Sequence, residues 1–271
     1  MQFFKLKKQY RYWLDFLFVM TQKEIKARYK HAMLGFLWII INPLLQMLVM
    51  GLVFQFFVPV HVDNYFLFLF AGLLPWNFFA QSLTKTTPAF FYERNLIKKA
   101  KFPRETIVLS IILSNLFHFL VALSLLVFAL VADKLFLEHY AFLELIFYVG
   151  RMLWLVPAIL LLLIFTVGLS LLTASLNVRF RDVNFIVQLA VMLWFYATPI
   201  IYALNLLPEL LQPIFYLNPM TFIVELFHYA LMGLPIVLGN FAWVSLVIIV
   251  YVFYLGCLVF SKENKNFDDW L

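Results

Sequence analysis

Long apolar runs separated by short polar stretches make up most of the chain. A helix that crosses the hydrocarbon core of a bilayer needs about 20 mostly apolar residues. Six runs approach that length, and none of them shows strand-like alternation, so the pattern predicts membrane-spanning helices and not a β-barrel. The predicted spans are residues 36–58, 65–82, 106–131, 153–176, 185–204 and 241–260.

The segment before the first span has a different pattern. Between residues 10 and 33, apolar side chains recur at Ile25, Tyr29 and Met33, and lysines recur beside them at the same helical spacing. This pattern predicts an amphipathic helix that lies in the membrane interface. Its lysines can extend to the lipid headgroups while their carbon chains stay on apolar surface.

The segment between the fifth and sixth spans, residues 205–240, is apolar but interrupted by four prolines. Asn218 and Pro219 have the residue types of a helix cap and a first helical position. Irregular backbone at membrane depth is tolerated only where protein or a cavity surrounds it. The segment therefore predicts short re-entrant helices, with an ordinary interfacial loop as the alternative.

Composition and charge support an integral membrane protein with a defined orientation. The chain is 65% hydrophobic and 13% charged, whereas a soluble domain is about 45–50% apolar and about 25% charged. All but two of its 20 Lys and Arg residues fall on one side of the predicted spans, the exceptions being Lys134 and Arg151. The positive-inside rule then predicts that both termini are cytoplasmic. The net charge of +6 fits a membrane surface and gives no reason to expect nucleic acid.

Several kinds of chemistry are missing from the sequence. It contains no phosphate-binding loop, no nucleophile elbow and no metalloprotease motif. A single cysteine excludes an internal disulfide and a thiolate metal site, so no metal is expected. Acidic residues are almost confined to loops, which disfavours proton-coupled transport. A membrane glycosyltransferase is also disfavoured, because the only adjacent acidic pair is Asp268–Asp269. The chain therefore has no visible energy source and no catalytic residues.

Polar side chains within the first span share one helical face. Trp38, Asn42 and Gln46 are spaced i, i+4 and i+8. Polar groups in hydrocarbon must find partners, so this face points into the bundle. It either forms hydrogen bonds between helices or lines a polar path for the substrate.

Aromatic residues cluster toward the end of the fifth span. The cluster contains Trp194, Phe195, Tyr196 and Tyr202, with Pro199 among them. An aromatic belt at the membrane interface is one interpretation. The alternative is a path for substrate on which sugar rings stack.

Two compact basic elements lie between spans on the cytoplasmic side. Residues 95–105 read "NLIKKAKFPRE", and residues 176–183 read "LNVRFRDV". Basic residues alone would be enough to anchor these loops at the membrane surface. Phe102, Pro103 and Phe180, however, add apolar surface beside the charged side chains. An apolar centre with a charged rim is typical of a protein interface, so a docked protein is favoured over simple anchoring.

Five segments resemble the membrane subunit of type-two ABC polysaccharide exporters. They run in the family's order over nearly the whole chain, and they are most similar to O-antigen exporter permeases of the Wzm type. The segments are "RYKHAMLGFLWIIINPLLQMLV", "FAGLLPWNFFAQSL", "NLIKKAKFPRE", "LNVRFRDVNFIVQLAVMLWFYATPIIY" and "LNPMTFIVELF".

The resemblance implies a single permease domain over residues 1–271 in the bacterial inner membrane. It implies a pair of permeases above two copies of a cytoplasmic ABC ATPase, which would hold the ATP and magnesium. The substrate would be an O-antigen polysaccharide on an undecaprenyl diphosphate lipid. A teichoic-acid or capsule exporter, or a small-molecule ABC exporter, remains an alternative.

The resemblance also implies roles for particular residues. The residues that receive motion from the ATPase would be Glu93, Arg94, Lys98, Lys99, Phe102, Pro103, Arg104, Arg179, Arg181 and Asp182. The basic residues that guide the lipid diphosphate would be Lys23, Lys26, Arg28 and Lys30.

Overall fold

The computed structural model describes residues 2–30, 34–57, 62, 64–136, 142–208, 210, 212–236 and 242–267. Every regular element within these ranges is helical. The α-helices are α1 (Gln2–Tyr29), α2 (Trp38–Phe57), α3 (Tyr65–Thr86), α4 (Ala89–Tyr92), α5 (Arg94–Lys99), α6 (Glu105–Phe136), α7 (Phe142–Met152), α8 (Leu155–Arg179), α9 (Val183–Tyr196), α10 (Gln212–Tyr216), α11 (Pro219–Met232) and α12 (Ala242–Glu263).

Long apolar helices account for most of the predicted spans. Apolar sequence of this length folds as helix in a membrane because a helix satisfies its own backbone hydrogen bonds. Within the described ranges, five helical stretches are long and apolar enough to cross: Gly35–Phe54, Tyr65–Thr86, Glu105–Phe136, Leu143–Arg179 and Ala242–Glu263. They coincide with the first, second, third, fourth and sixth predicted spans.

The predicted fifth span, residues 185–204, is not one continuous helix. α9 ends at Tyr196 after 14 residues, a length of about 21 Å against the roughly 30 Å of a hydrocarbon core. Pro199 explains the end, because proline cannot donate its backbone nitrogen and disfavours helical geometry in the residue before it. A turn follows, and then a short 3₁₀-helix at Leu204–Leu206.

Two other helix boundaries differ from the prediction. The N-terminal helix begins at Gln2, not at residue 10. The fourth span is preceded by α7, which turns into α8 at Leu153 and Trp154. The predicted boundaries at residues 31–33, 58 and 241, and the pair Asp268–Asp269, lie outside the described residues.

α1 packs lengthwise against α6. Leu17 and Met20 are buried in this contact region, whereas Tyr12, Phe18 and Val19 are exposed. The helix therefore has one side in the protein and an apolar side that the described part of the chain leaves exposed.

α11 begins and ends as its sequence predicts. Asn218 accepts a hydrogen bond from the backbone of Met220, and Pro219 occupies the first turn. Gly233 ends the helix with a φ of +78°, a left-handed conformation that glycine adopts without a steric penalty. Most of the helix is buried, so the protein encloses it.

α3 is the central helix of the bundle. It packs against α2, α6, α8 and α11, and 72% of its most apolar stretch is buried, against 11% for α2. α8 and α12 form another extensive contact, in which a Cβ on Gly168 would overlap the backbone of Phe253 and a Cβ on Gly256 would overlap the backbone of Gly168. Small residues permit this approach between membrane helices.

Candidate functional site: a polar chamber and two basic elements

The main cavity of interest lies between α1, α2, α3 and α6, and we call it the polar chamber. Its volume is about 370 Å³, within the range of about 300–1,000 Å³ typical of ligand pockets. The lining residues are Arg28, Trp38, Ile39, Asn42, Pro43, Gln46, Leu74, Asn77, Phe78, Gln81, Lys85, Asn115, His118, Phe119 and Ala122.

Arg28 enters the chamber from the last turn of α1 and bonds to α6. Its Nη2 donates to Asn115 Oδ1 at 2.6 Å, and its Nη1 donates to His118 Nδ1 at 3.1 Å. A guanidinium has only donors, and neither Asn115 nor His118 can carry a negative charge here. Neither partner therefore neutralises the positive charge of Arg28.

Hydrogen bonds between side chains connect the helices around the chamber. Asn77 Nδ2 on α3 donates to Gln46 Oε1 on α2 at 2.8 Å. Asn115 Nδ2 on α6 donates to Ser82 Oγ on α3 at 3.1 Å. Because Asn115 also accepts from Arg28, it joins three helices at one side chain.

The predicted stripe of Trp38, Asn42 and Gln46 lines this chamber as one face. The α3 side of the chamber, opposite this stripe, contains polar residues that were not predicted from the sequence. Asn77, Gln81 and Lys85 are also spaced i, i+4 and i+8 on α3, so the same pattern could have identified them. Asn115 is buried beside His118, and its pairing with Arg28 has no local signal in the sequence.

The four aromatic residues predicted to form part of a substrate path are not among the residues that line the chamber. Trp194 packs edge-on against Phe79 and donates its indole hydrogen to Asn218 Oδ1 at 2.8 Å. Phe195 is buried against Trp76, and Tyr202 donates to the backbone oxygen of Tyr196. In this single chain Tyr196 is 59% exposed.

In the structure the first basic element extends back to Glu93, the residue before α5, so it covers residues 93–105 and surrounds its own cavity. α4 and α5 hold it in place by burying Phe90 and Ile97. A cavity of about 640 Å³ is lined by Ile97, Lys98, Lys99, Ala100, Lys101, Phe102 and Arg104. Its composition is an apolar floor with a basic rim.

The basic elements contact α1 and the end of α12. Lys23 forms an ion pair with Glu93 at 2.5 Å, and the Phe16 ring lies 4.7 Å from that of Phe102. In the second element, the Arg181 guanidinium lies 5.3 Å from the ring of Phe91. Asp182 immediately precedes α9.

The end of the described chain is held between the two elements, and we call Glu263, Asn264 and Phe267 the C-terminal clasp. Arg104 donates to the backbone oxygen of Asn264 and lies 5.7 Å from the Phe267 ring. Arg179 lies 3.8 Å from the Glu263 carboxylate. Phe267 is fully buried. One short segment therefore touches both predicted coupling elements.

The four basic residues predicted to guide the lipid diphosphate have different surroundings. Lys23 is paired with Glu93, and Arg28 is in the polar chamber. Lys26 and Lys30 are exposed.

Comparison with known proteins agrees with the resemblance seen in the sequence. The family model described as ABC-2 type transporter matches residues 16–232. A Klebsiella pneumoniae protein named "O-antigen export system permease protein RfbA" is 33% identical over 270 residues, covering 98% of this chain and 99% of the relative. A second protein of that name and species is 34% identical with the same coverage. A Myxococcus xanthus protein of that name is 35% identical over 201 residues, covering 74% of this chain and 72% of the relative.

The family match covers well over half of the chain, and two relatives align along nearly all of it. The apolar helices agree with a transport component that crosses the membrane several times. The chain is a multi-pass membrane protein and belongs to the ABC-2 type transporter family.

Proposed function

We propose that the chain is the membrane subunit of an ATP-driven exporter that moves undecaprenyl-diphosphate-linked O-antigen polysaccharide across the bacterial inner membrane. The observation that carries the proposal is the similarity, over 98% of the chain, to two proteins named O-antigen export permeases. The polar chamber is consistent with it, since transport of a glycan requires polar surface within the bundle.

The proposed topology has six crossings and both termini in the cytoplasm. The side with the two basic elements faces the cytoplasm, as the positive-inside rule requires. α9 and the turn after it would make the fifth crossing, and α10 and α11 would be re-entrant from the outer side. The burial of α11 supports this, because a short helix at membrane depth must be enclosed by protein.

α1 is proposed to be the interfacial helix. α6 has 32 residues and is therefore about 48 Å long, about 18 Å more than the hydrocarbon core. Its first turns would then extend into the cytoplasmic interface. α1 packs beside them, which would place Lys23, Lys26, Arg28 and Lys30 where they attract the lipid diphosphate.

A separate ABC ATPase is proposed to dock on the two basic elements, and two copies would serve two copies of this chain. ATP and magnesium would be held by the ATPase. The proposed coupling residues are Glu93, Arg94, Lys98, Lys99, Phe102, Pro103, Arg104, Arg179, Arg181 and Asp182. Support comes from the apolar floor and basic rim of the first element.

A deletion strain tests the transport function. Loss of the chain should leave lipid-linked glycan on the cytoplasmic side, and the intact gene should restore export. A pull-down of the solubilised chain should recover an ATPase at a one-to-one ratio. Normal glycan export in the deletion strain would contradict the proposal.

Charge reversal tests the docking surface. Arg94 and Lys98 are exposed, so Arg94→Glu with Lys98→Glu should weaken ATPase binding and stop export while the chain still inserts. Lys262→Glu is the matched control, because Lys262 is exposed on the same side but outside both elements. Retention of ATPase binding and export in the double variant would exclude this surface as the docking site.

A further inference from the structure

We propose that the polar chamber is a binding site for the phosphoryl group of a lipid-linked substrate, with Arg28 and Lys85 as its cationic ligands. This inference rests on the proposed function and assigns one step of it, recognition of the lipid end, to a defined site. Lys85 belongs to neither basic element and was not among the residues predicted to guide lipid.

The charges of the chamber carry the proposal. Among the described residues that line it, Arg28 and Lys85 are cations and none is a carboxylate. Among the described residues, Arg28 bonds to Asn115 and His118, neither of which carries a negative charge, so these bonds orient the guanidinium and do not neutralise it. Glu24, one turn before Arg28, lines an adjoining groove with Lys85. Arg28 is half-buried with no carboxylate among the described residues of the cavity, which favours an anionic ligand, and the exposed Lys85 adds a second positive charge.

Neutral polar groups in the chamber suit a phosphoryl ligand in particular. Amide side chains at Asn42, Gln46 and Gln81 face the same cavity. A phosphoryl group has several strong acceptor oxygens, and guanidinium, ammonium and amide hydrogens are the donors it uses. The amides would then bind the oxygens that the two cations leave unbound.

The position of the chamber beside exposed apolar surface favours a lipid headgroup over a free anion as its ligand. Lys85 lies near the cytoplasmic end of α3, and Asn77 is eight residues, or about 12 Å, deeper. At that depth the hydrogen bond from Asn77 to Gln46 joins α3 to α2. α2 also leaves most of its apolar surface outside the bundle, so a lipid tail could lie along it with the phosphoryl group in the chamber.

Binding of farnesyl diphosphate to the purified, immobilised full-length chain tests the proposal. We expect Arg28→Gln and Lys85→Gln each to weaken binding at least about tenfold, since a charge-assisted contact contributes roughly that much or more. Arg28→Lys keeps the charge and should lose less affinity than Arg28→Gln. Arg11→Gln and Lys262→Gln are matched controls, because both residues are exposed and outside the chamber.

Two competitors identify the part of the probe that is recognised. Farnesol, which lacks phosphate, should not displace farnesyl diphosphate. Inorganic diphosphate should displace it only at concentrations at least about tenfold higher, because it lacks the lipid tail. Equal competition by inorganic diphosphate would overturn the assignment to a lipid headgroup.

Comparison of the variants distinguishes binding at this site from attraction to general surface charge and from loss of folded protein. Wild-type affinity in Lys85→Gln and Arg28→Gln would overturn the site, and so would an equal loss in Arg11→Gln. Lys85 is exposed at the end of α3, so its variant should elute as monodisperse protein and report binding without a folding defect.

Failure of the site and failure of the proposed function give different results. Binding is measured without the ATPase or the glycan. If the deletion strain exports glycan normally but farnesyl diphosphate binds as expected, the transport function fails and the site stands. If export depends on the chain but the Arg28 and Lys85 variants bind the probe normally, the site fails and the function stands.

Discussion

Replacing Phe267 with alanine should release the C-terminal clasp from the two basic elements. The ring is fully buried and lies 4.8 Å from that of Phe90 and 6.0 Å from that of Phe260. Arg104 adds a cation–π contact at 5.7 Å. Alanine removes all three contacts and leaves a cavity between α4, α12 and the first basic element.

The expected loss follows from these contacts. Truncation of a buried phenylalanine to alanine lowers stability by about 3–5 kcal/mol, of which each aromatic pair contributes about 0.5–1.5 kcal/mol. A loss of 3 kcal/mol corresponds to roughly a 150-fold larger population of the open segment. Arg104→Gln removes the cation–π contact and the hydrogen bond to Asn264 but leaves the Phe267 ring in place, so its effect should be smaller, about 1–2 kcal/mol.

Hydrogen exchange of the backbone amides at residues 261–267 measures this opening directly, because exchange reports local unfolding. Phe267→Ala should exchange fastest, Arg104→Gln at an intermediate rate, and wild type most slowly. Tyr92→Ala is the control, because Tyr92 is an aromatic residue of the same region that is 79% exposed. Wild-type exchange in Phe267→Ala would refute the assignment of the clasp.

Thermal unfolding of the purified chain checks three further contacts. Gly168→Val should lower the melting temperature by several degrees, because a Cβ there overlaps the backbone of α12, whereas Gly150→Val meets nothing within 4 Å and should not. Arg151→Gln should lower stability by about 1–3 kcal/mol, since it removes two hydrogen bonds that the guanidinium donates to the last turn of α11. Asn218→Ala removes a helix cap, the acceptor of the Trp194 indole and two hydrogen bonds that its amide donates to Ala197 and Thr198. It should therefore have a larger effect than Trp194→Phe, which removes one of these hydrogen bonds and keeps an aromatic ring at the position.

The spans were predictable where one physical constraint decides the structure. About 20 apolar residues in a bilayer must satisfy their backbone internally, so α2, α3, α6, α8 and α12 follow from hydropathy alone. The end of α9 depends on Pro199 and on the packing of the turn that follows it. α7 contains Glu144 and Arg151, so its composition does not resemble a span and the apolar pattern did not reveal it.

The chamber was predictable one helix at a time and not as a whole. The stripe of Trp38, Asn42 and Gln46 follows from helical spacing, because residues four apart share a face. Lys85 continues the polar face of α3, but hydropathy treats a lysine at the end of a span as part of the loop. The contact between Arg28 and Asn115 joins residues that are 87 positions apart, and no local pattern contains such a pairing.

α1 connects the first basic element to the polar chamber. Phe16 packs on Phe102, and Lys23 pairs with Glu93, so the middle of the helix is attached to that element at two points. Arg28, five residues after Lys23, bonds within the chamber. A helix transmits displacement along its length because its backbone hydrogen bonds keep it stiff over these few turns. If an ATPase moves the first basic element, α1 must either move with it or break both contacts, and in the first case the guanidinium in the chamber moves as well. The same helix would therefore carry the motion of the motor to the group that holds the substrate's phosphoryl end.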